Sequence, residues 1–107
     1  EVMEETVIYQ SMYSIEEGTE FEEFIGGLLF SYTVADGDSF KIRIENVDST
    51  PYFNGRFKIT MLLPDGSKSS TKSILLQGFK PGQTRESTII IRNGEVGFKL
   101  QVVEITY

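Results

Sequence analysis

This sequence has no histidine and no cysteine among its 107 residues. Without histidine it lacks the side chain that most often acts as a general base near neutral pH. Without cysteine it lacks thiol nucleophiles, thiolate metal sites and disulfides. Catalysis would depend on carboxylates, serine, lysine or tyrosine, so an enzyme is the function class that this composition favours least.

Basic side chains are absent from residues 1–40, which hold ten acidic ones, whereas residues 41–107 hold ten basic and six acidic side chains. The two parts therefore carry −10 and +4, which gives the net charge of −6. Nucleic acids and anionic lipid surfaces are bound mainly through basic side chains. We therefore expect no nucleic-acid partner. Apolar runs also stay far below the roughly 18 residues of a membrane-spanning helix, so no membrane insertion is predicted.

The residues that are present favour strands. From Leu28 onward, apolar and polar residues alternate with a period of two, and turn residues interrupt the pattern at short intervals. This predicts one all-β domain over residues 1–107, an antiparallel immunoglobulin-like β-sandwich of about seven strands. Residues 1–27 would form an acidic N-terminal strand and connector, and residues 28–107 the hairpins of the core.

Three hairpins are predicted from turn residues. The first turns at residues 35–38 (ADGD), and the second at residues 64–67 (PDGS), where Pro fixes φ and Gly takes a left-handed conformation. The third joins residues 84–92 to residues 95–107 through Asn93-Gly94, a dipeptide that suits a type I′ turn.

In the last predicted strand the apolar phase changes between Val102 and Val103. A β-bulge, or burial on both faces, would explain this change.

The first 27 residues follow two other patterns. Residues 6–13 could form an edge strand, with Val7 and Tyr9 on one side and Ile8 and Met12 on the other. Residues 19–22 (TEFE) match a capping box.

After that box, Phe21 and Phe24 follow at helical spacing before Gly26-Gly27. The second pattern predicts one short helical turn near residues 20–25.

Four short segments resemble the bacterial and archaeal immunoglobulin-like modules of the CARDB and FxLYD kind. They are residues 40–46 (FKIRIEN), 57–61 (FKITM), 79–84 (FKPGQT) and 97–102 (GFKLQV). Such modules occur in surface and envelope proteins as spacers, adhesion units and partner-binding units. The resemblance implies an extracytoplasmic location and a role in interaction.

Two groups of residues are candidate binding sites. Tyr52 and Phe53 are consecutive aromatics in a loop, where one could be exposed and stack on a sugar or anchor a protein, or both could cover the core and a strand edge. The acidic residues 16–23, with Phe21 and Phe24 as apolar anchors, could dock a basic partner or pack against this chain's own basic side chains.

Asp36, Asp38 and Asp48 are candidate calcium ligands, because hard cations take several oxygen ligands. A hairpin turn explains the first two equally well, and no EF-hand spacing is present. No cofactor is predicted.

The function favoured by the sequence is a non-enzymatic, extracytoplasmic interaction, adhesion or assembly module. Its partner would be a protein or cell surface, or a second copy pairing through an edge strand. A carbohydrate-binding module that uses Tyr52 and Phe53, and a calcium-stabilised surface domain, are the alternatives.

Overall fold

The computed structural model describes residues 4–47 and 53–106. Within these ranges the chain forms eight strands and no helix, and so it has no described helix that is long and apolar enough to cross a membrane. The strands are β1 (Glu4–Ser14), β2 (Glu20–Ile25), β3 (Leu28–Thr33), β4 (Ser39–Asn46), β5 (Phe53–Leu62), β6 (Lys68–Phe79), β7 (Thr84–Ile90) and β8 (Gly97–Thr106).

The strands make two four-stranded sheets. The first sheet has the order β1-β8-β5-β6 and the second the order β2-β3-β4-β7. Every pairing is antiparallel, so the predicted antiparallel sandwich is confirmed, with eight strands in place of about seven. The first strand lies beside the last, whereas in immunoglobulin constant domains the first strand lies beside the second.

The core lies between the two sheets because one face of each alternating strand is apolar. Aromatic rings from both sheets meet there: Phe40 and Phe98 stack with centroids 5.0 Å apart, and Phe30 and Phe57 stack at 6.0 Å. All four are fully buried. Truncating one such ring to alanine costs about 3–5 kcal/mol, so these four side chains are a main source of the stability that holds the sheets together.

The first two predicted hairpins are confirmed. β3 pairs with β4 in a register that places Phe30 opposite Ile44. β5 pairs with β6, with Phe57 opposite Ile74.

The third predicted hairpin is wrong. A turn does form at Asn93-Gly94, where the Glu95 amide donates to the Arg92 carbonyl at 3.1 Å and Gly94 has φ of 92°. However, β7 pairs with β4 in the second sheet, and β8 pairs with β1 and β5 in the first. Turn residues reverse the chain, but burial of apolar faces selects the partner strand. Here the chain crosses from one sheet to the other after the turn.

The predicted helical turn near residues 20–25 is also wrong, because these residues form β2 and pair with β3 along their whole length. Gly26 and Gly27 have φ of 55° and 86°. Positive φ at both central residues is the requirement of a type I′ hairpin turn. The two glycines therefore close a hairpin, which gives this segment a ladder of backbone partners that a single helical turn could not supply.

The apolar phase change near Val102 has its explanation in the neighbouring strand. Val103 lies opposite Val7 and Val102 lies opposite Tyr9, so Ile8 is an extra residue in β1 and forms a bulge there. Val102 faces the core and Val103 is buried on the other face, which confirms burial on both faces. The bulge also places Val7 and Tyr9 on opposite faces, which corrects the expectation that they share one side.

The connection from β6 to β7 is anchored by Asn46 at the end of β4. The buried Asn46 side-chain amide donates to the Phe79 carbonyl at 2.7 Å, and the Asn46 carbonyl accepts from the Gly82 amide at 2.8 Å. The Gln83 side chain accepts a hydrogen bond from the Lys80 amide at 2.7 Å. These bonds hold the Pro81-Gly82 turn where the chain crosses between the sheets.

Candidate interaction surface

The open side of the sandwich formed by β1 and β2 is named the acidic edge here. β1 is the outermost strand of the first sheet and β2 the outermost strand of the second. The two strands lie one above the other, since the Tyr13 ring on β1 is 5.0 Å from the Phe21 ring on β2. Among residues 4–47 and 53–106, no strand neighbours the backbone groups of β1 and β2 that face away from their sheets, which is the arrangement that accepts an added strand.

The charge of this surface is entirely negative. β1 carries Glu4 and Glu5, β2 carries Glu20, Glu22 and Glu23, and neither strand has a basic side chain. Glu5 is paired with Arg56 of β5, with 2.8 Å between Oε1 and Nη2. The other four carboxylates have no basic side chain within ion-pair distance among the described residues, so the acidic edge attracts a positively charged partner.

Large apolar side chains are exposed among these carboxylates. Met12 on β1 is 71% exposed and Phe24 on β2 is 69% exposed, and Val7, Ile8 and Phe21 are exposed to a smaller extent. Val7 and Met12 face outward from the first sheet and Phe24 faces outward from the second, so each outer face of this edge offers an apolar contact to an added strand. An open groove of about 410 Å³ adjoins this surface and is lined by residues of β2 and β3, namely Glu20, Phe21, Glu22, Ser31, Tyr32 and Thr33.

A hydrogen-bonded cluster joins the two strands of the acidic edge. Glu23 points toward the core side of β2, because it lies opposite the buried Phe30. Its Oε2 accepts hydrogen bonds from the Tyr9 hydroxyl at 2.6 Å and the Tyr13 hydroxyl at 2.9 Å, and the two hydroxyl oxygens are 3.0 Å apart. This cluster ties β1 to β2 at the open side of the core.

The pKa of Tyr13 is strongly raised in this cluster. Burial is the largest cause, followed by the hydrogen bonds to Tyr9 and Glu23. Burial also raises the pKa of the neighbouring Tyr32, whose hydroxyl donates to the Ser14 carbonyl at 2.9 Å. Both tyrosines stay protonated at neutral pH, so they act as hydrogen-bond donors that hold β1 in place.

The opposite open side, formed by β6 and β7, is named the basic edge. It carries Lys68, Lys72 and Arg85, with Glu86 as its one acidic side chain. The Lys72 ammonium donates to the Thr88 carbonyl at 3.2 Å, and the Arg85 guanidinium is 3.4 Å from the Leu75 carbonyl. Since Lys72 and Arg85 lie opposite the buried Ile59 and Ile44, both cations sit at core-facing positions of their strands.

The predicted anchors Phe21 and Phe24 both lie on the acidic edge but on opposite faces of β2. Phe21 is opposite the buried Tyr32 and turns toward the core, whereas Phe24 is opposite Leu29 and turns outward. Helical spacing would place them on one face, but strand geometry separates residues three positions apart.

The aromatic pair at Tyr52 and Phe53 is described in part. Phe53 is half-buried and packs against the core, and its ring covers Gly55 so closely that a Cβ there would overlap it. Tyr52 lies outside the described residues. The structure therefore places Phe53 in a packing position, which supports the core-covering alternative for this residue.

The predicted calcium ligands do not form a described cluster. The Asp36 carboxylate accepts a hydrogen bond from the Asp38 amide at 2.9 Å, which is a turn-stabilising contact. Asp48 lies outside the described residues. Within residues 4–47 and 53–106, no three acidic, histidine or cysteine side chains are grouped so that they could hold a metal ion.

Sequence reasoning missed the tyrosines of the hydrogen-bonded cluster and the cations of the basic edge. The alternation of Tyr9, Ser11 and Tyr13 is a strand signal that would place both rings on one face. That Glu23 meets them depends on how the two sheets stack.

Comparison with known proteins shows a fold likeness and no family. No family model matches this chain, and no curated protein matches it. Among solved structures, it is similar to the RGD-containing host-selective toxin ToxA of Pyrenophora tritici-repentis, with a TM-score of 0.55 and 12% identity over 85% of this chain and 93% of the toxin chain. At this identity the likeness concerns the fold alone.

Proposed function

We propose that this chain is a non-enzymatic interaction, adhesion or assembly module of a cell-envelope or secreted protein, and that it binds a protein partner through the acidic edge. The observation that carries the proposal is the combination found on β1 and β2: unpaired strand edges, five carboxylates and exposed apolar side chains. The extracytoplasmic location is supported by the resemblance of residues 40–102 to envelope modules. The absence of histidine and cysteine supports a role other than catalysis.

The geometry favours an extended partner segment over a folded ligand in a pocket. A strand added to β1 gains main-chain hydrogen bonds, and every second side chain of the added strand faces the same side. On a strand added to β2, basic side chains would meet Glu20 and Glu22 and an apolar one would cover Phe24, whereas on a strand added to β1 an apolar side chain would cover Met12. Affinity then comes from the backbone, and specificity from charge.

The test is an amide NMR titration with two peptides of equal length, one that alternates lysine and valine and one that alternates glutamate and valine. We expect the lysine peptide to shift resonances of β1 and β2, and the glutamate peptide to leave them unchanged. Binding should weaken with salt, because the Debye length falls from about 30 Å at 0.01 M to about 3 Å at 1 M.

The variant Glu20→Lys/Glu22→Lys should weaken binding of the lysine peptide. Its matched control is Asp38→Lys/Glu104→Lys, which changes net charge equally at exposed residues outside β1, β2 and the segment that joins them. Equal responses to both peptides, or shifts confined to the basic edge, would contradict the proposal.

A further inference from the structure

We infer that the protein partner of the acidic edge is the basic edge of a second copy of this chain, so that copies stack head to tail and extend both sheets. This inference rests on the proposed function, since it names the occupant of the same surface. It is carried by strand direction, by strand length and by charge.

Strand direction permits simple stacking. Three successive antiparallel pairings separate β1 from β6, and three separate β2 from β7. Each outer strand therefore runs opposite to the outer strand at the far side of its own sheet. A copy shifted sideways places its β1 antiparallel to β6 of the first copy, and its β2 antiparallel to β7. The antiparallel order of both sheets continues across the joint.

The lengths of the opposing strands also match. β1 has 11 residues and β6 has 12, while β2 has 6 and β7 has 7. After its bulge, β1 keeps a regular register over six residues (9–14), and between its two register shifts β6 keeps one over six residues (71–76). On each open side a long strand in the first sheet accompanies a short strand in the second, so one lateral shift brings both pairs together.

Charge complements across the joint. The acidic edge has five carboxylates and no cation, which gives −5, and the basic edge has three cations and one carboxylate, which gives +2. At the level of the core, Glu23 of one copy would face Lys72 and Arg85 of the next. In the single copy these cations donate to backbone carbonyls of their own edge. A carboxylate of the next copy would replace a carbonyl as acceptor, and a hydrogen bond to a charged acceptor is stronger.

A symmetric dimer is disfavoured by the same charges. Two acidic edges would place −5 against −5, and like charges across an interface lower its affinity. A head-to-tail joint uses different surfaces on the two copies, and such joints give open helical filaments when the rotation does not close. Four strands at about 4.8 Å each predict a repeat of about 19 Å per copy along the filament.

The test uses two variants that change the charges brought together across the joint, Glu23→Gln for the acidic edge and Lys72→Glu/Arg85→Glu for the basic edge. Light scattering and sedimentation velocity at low salt, over a concentration series, report the size of each species. Lys58→Glu/Lys99→Glu, on the central strands β5 and β8, is the matched control for the basic-edge variant. Circular dichroism checks that each variant is folded.

We expect the assemblies of wild type and of the control to grow in size with concentration. Each edge variant should associate at least about tenfold more weakly than wild type. A mixture of the two edge variants should recover association. The mixture recovers because each variant keeps one native edge that fits the partner. Wild type that stays monomeric at every concentration would overturn self-assembly. That result leaves the lysine-peptide titration to judge the acidic edge as a binding surface. A basic-edge variant that still dimerises would show a symmetric joint and would also overturn the inference.

Discussion

The cluster of Tyr9, Tyr13 and Glu23 allows a quantitative test of how β1 is held. Tyr13→Phe removes one hydroxyl, which lies 2.9 Å from Glu23 Oε2 and 3.0 Å from the Tyr9 hydroxyl, and leaves the ring in contact with Phe21 and Phe98. A hydrogen bond to a charged group contributes about 1.5–3 kcal/mol and a neutral one about 0.5–1.5 kcal/mol. Glu23 keeps its bond from Tyr9 at 2.6 Å, and the cluster is partly solvated. We therefore expect a loss of about 1 kcal/mol in the free energy of unfolding, or about 4–8 °C in Tm.

The pH dependence of this loss has a defined sign. The pKa of Tyr13 is raised in the folded chain by burial and by its hydrogen bonds, whereas tyrosine in the unfolded chain titrates near its ordinary value of about 10. Below about pH 10 both states are protonated, and the stabilisation is present in full. Above that pH the unfolded chain loses its proton first. Stability then falls by at most about 1.4 kcal/mol per pH unit for each such tyrosine.

Urea denaturation of wild type and Tyr13→Phe at neutral pH and above pH ~10 measures both effects. The deficit of Tyr13→Phe should shrink as pH rises, because the variant no longer carries the group that resists ionisation. In a Glu23→Gln background, Tyr13→Phe should cost less than in wild type, since the two changes share one interaction. The reasoning is refuted if the deficit is unchanged or grows above pH ~10, or if the two substitutions are additive.

Two further predictions concern packing and the alternative function. Asn46→Ala should lower the free energy of unfolding by about 1–3 kcal/mol, because the Phe79 carbonyl loses a donor in a buried position. The control is Asn93→Ala at an exposed position, which should change the free energy of unfolding, measured by urea titration, by under about 0.5 kcal/mol. Equal effects of the two substitutions would contradict the anchoring role of Asn46. Phe53→Ala should lower stability by about 2 kcal/mol, because the half-buried ring leaves the core. On affinity gels that contain a panel of polysaccharides, Phe53→Ala should migrate like wild type. If a polysaccharide instead retards wild type, and both Phe53→Ala and Tyr52→Ala lose that retardation, sugar binding is established.

Much of the fold could be predicted from local patterns. Alternation in β3, β4 and β5 identified their buried faces, and the Asp-Gly turns correctly located two hairpins, because these signals depend on residues close in sequence. At Gly26-Gly27 the local signal was ambiguous. A glycine pair ends a helix or closes a type I′ hairpin equally well. The hairpin forms because residues 20–25 pair with β3.

The candidate surface was predicted only in outline. The acidic character of the first 40 residues and the anchors Phe21 and Phe24 could be read directly from the chain. Their arrangement could not, because Phe21 turns inward and Phe24 outward once the segment is a strand. The basic edge depends on β6 and β7 being outermost in different sheets, which no local pattern records.

By itself the sequence determined the strand-forming segments other than β2, the position of most turns and the separation of charge between the two parts of the chain. The tertiary structure alone decided which strands are neighbours. It sent β7 and β8 to different sheets despite the turn between them, and it stacked β1 over β2 so that Glu23 meets two tyrosines. The physical reason is that turn and strand preferences act over a few residues. Strand partners, in contrast, are selected by the burial of apolar faces from segments far apart in the chain.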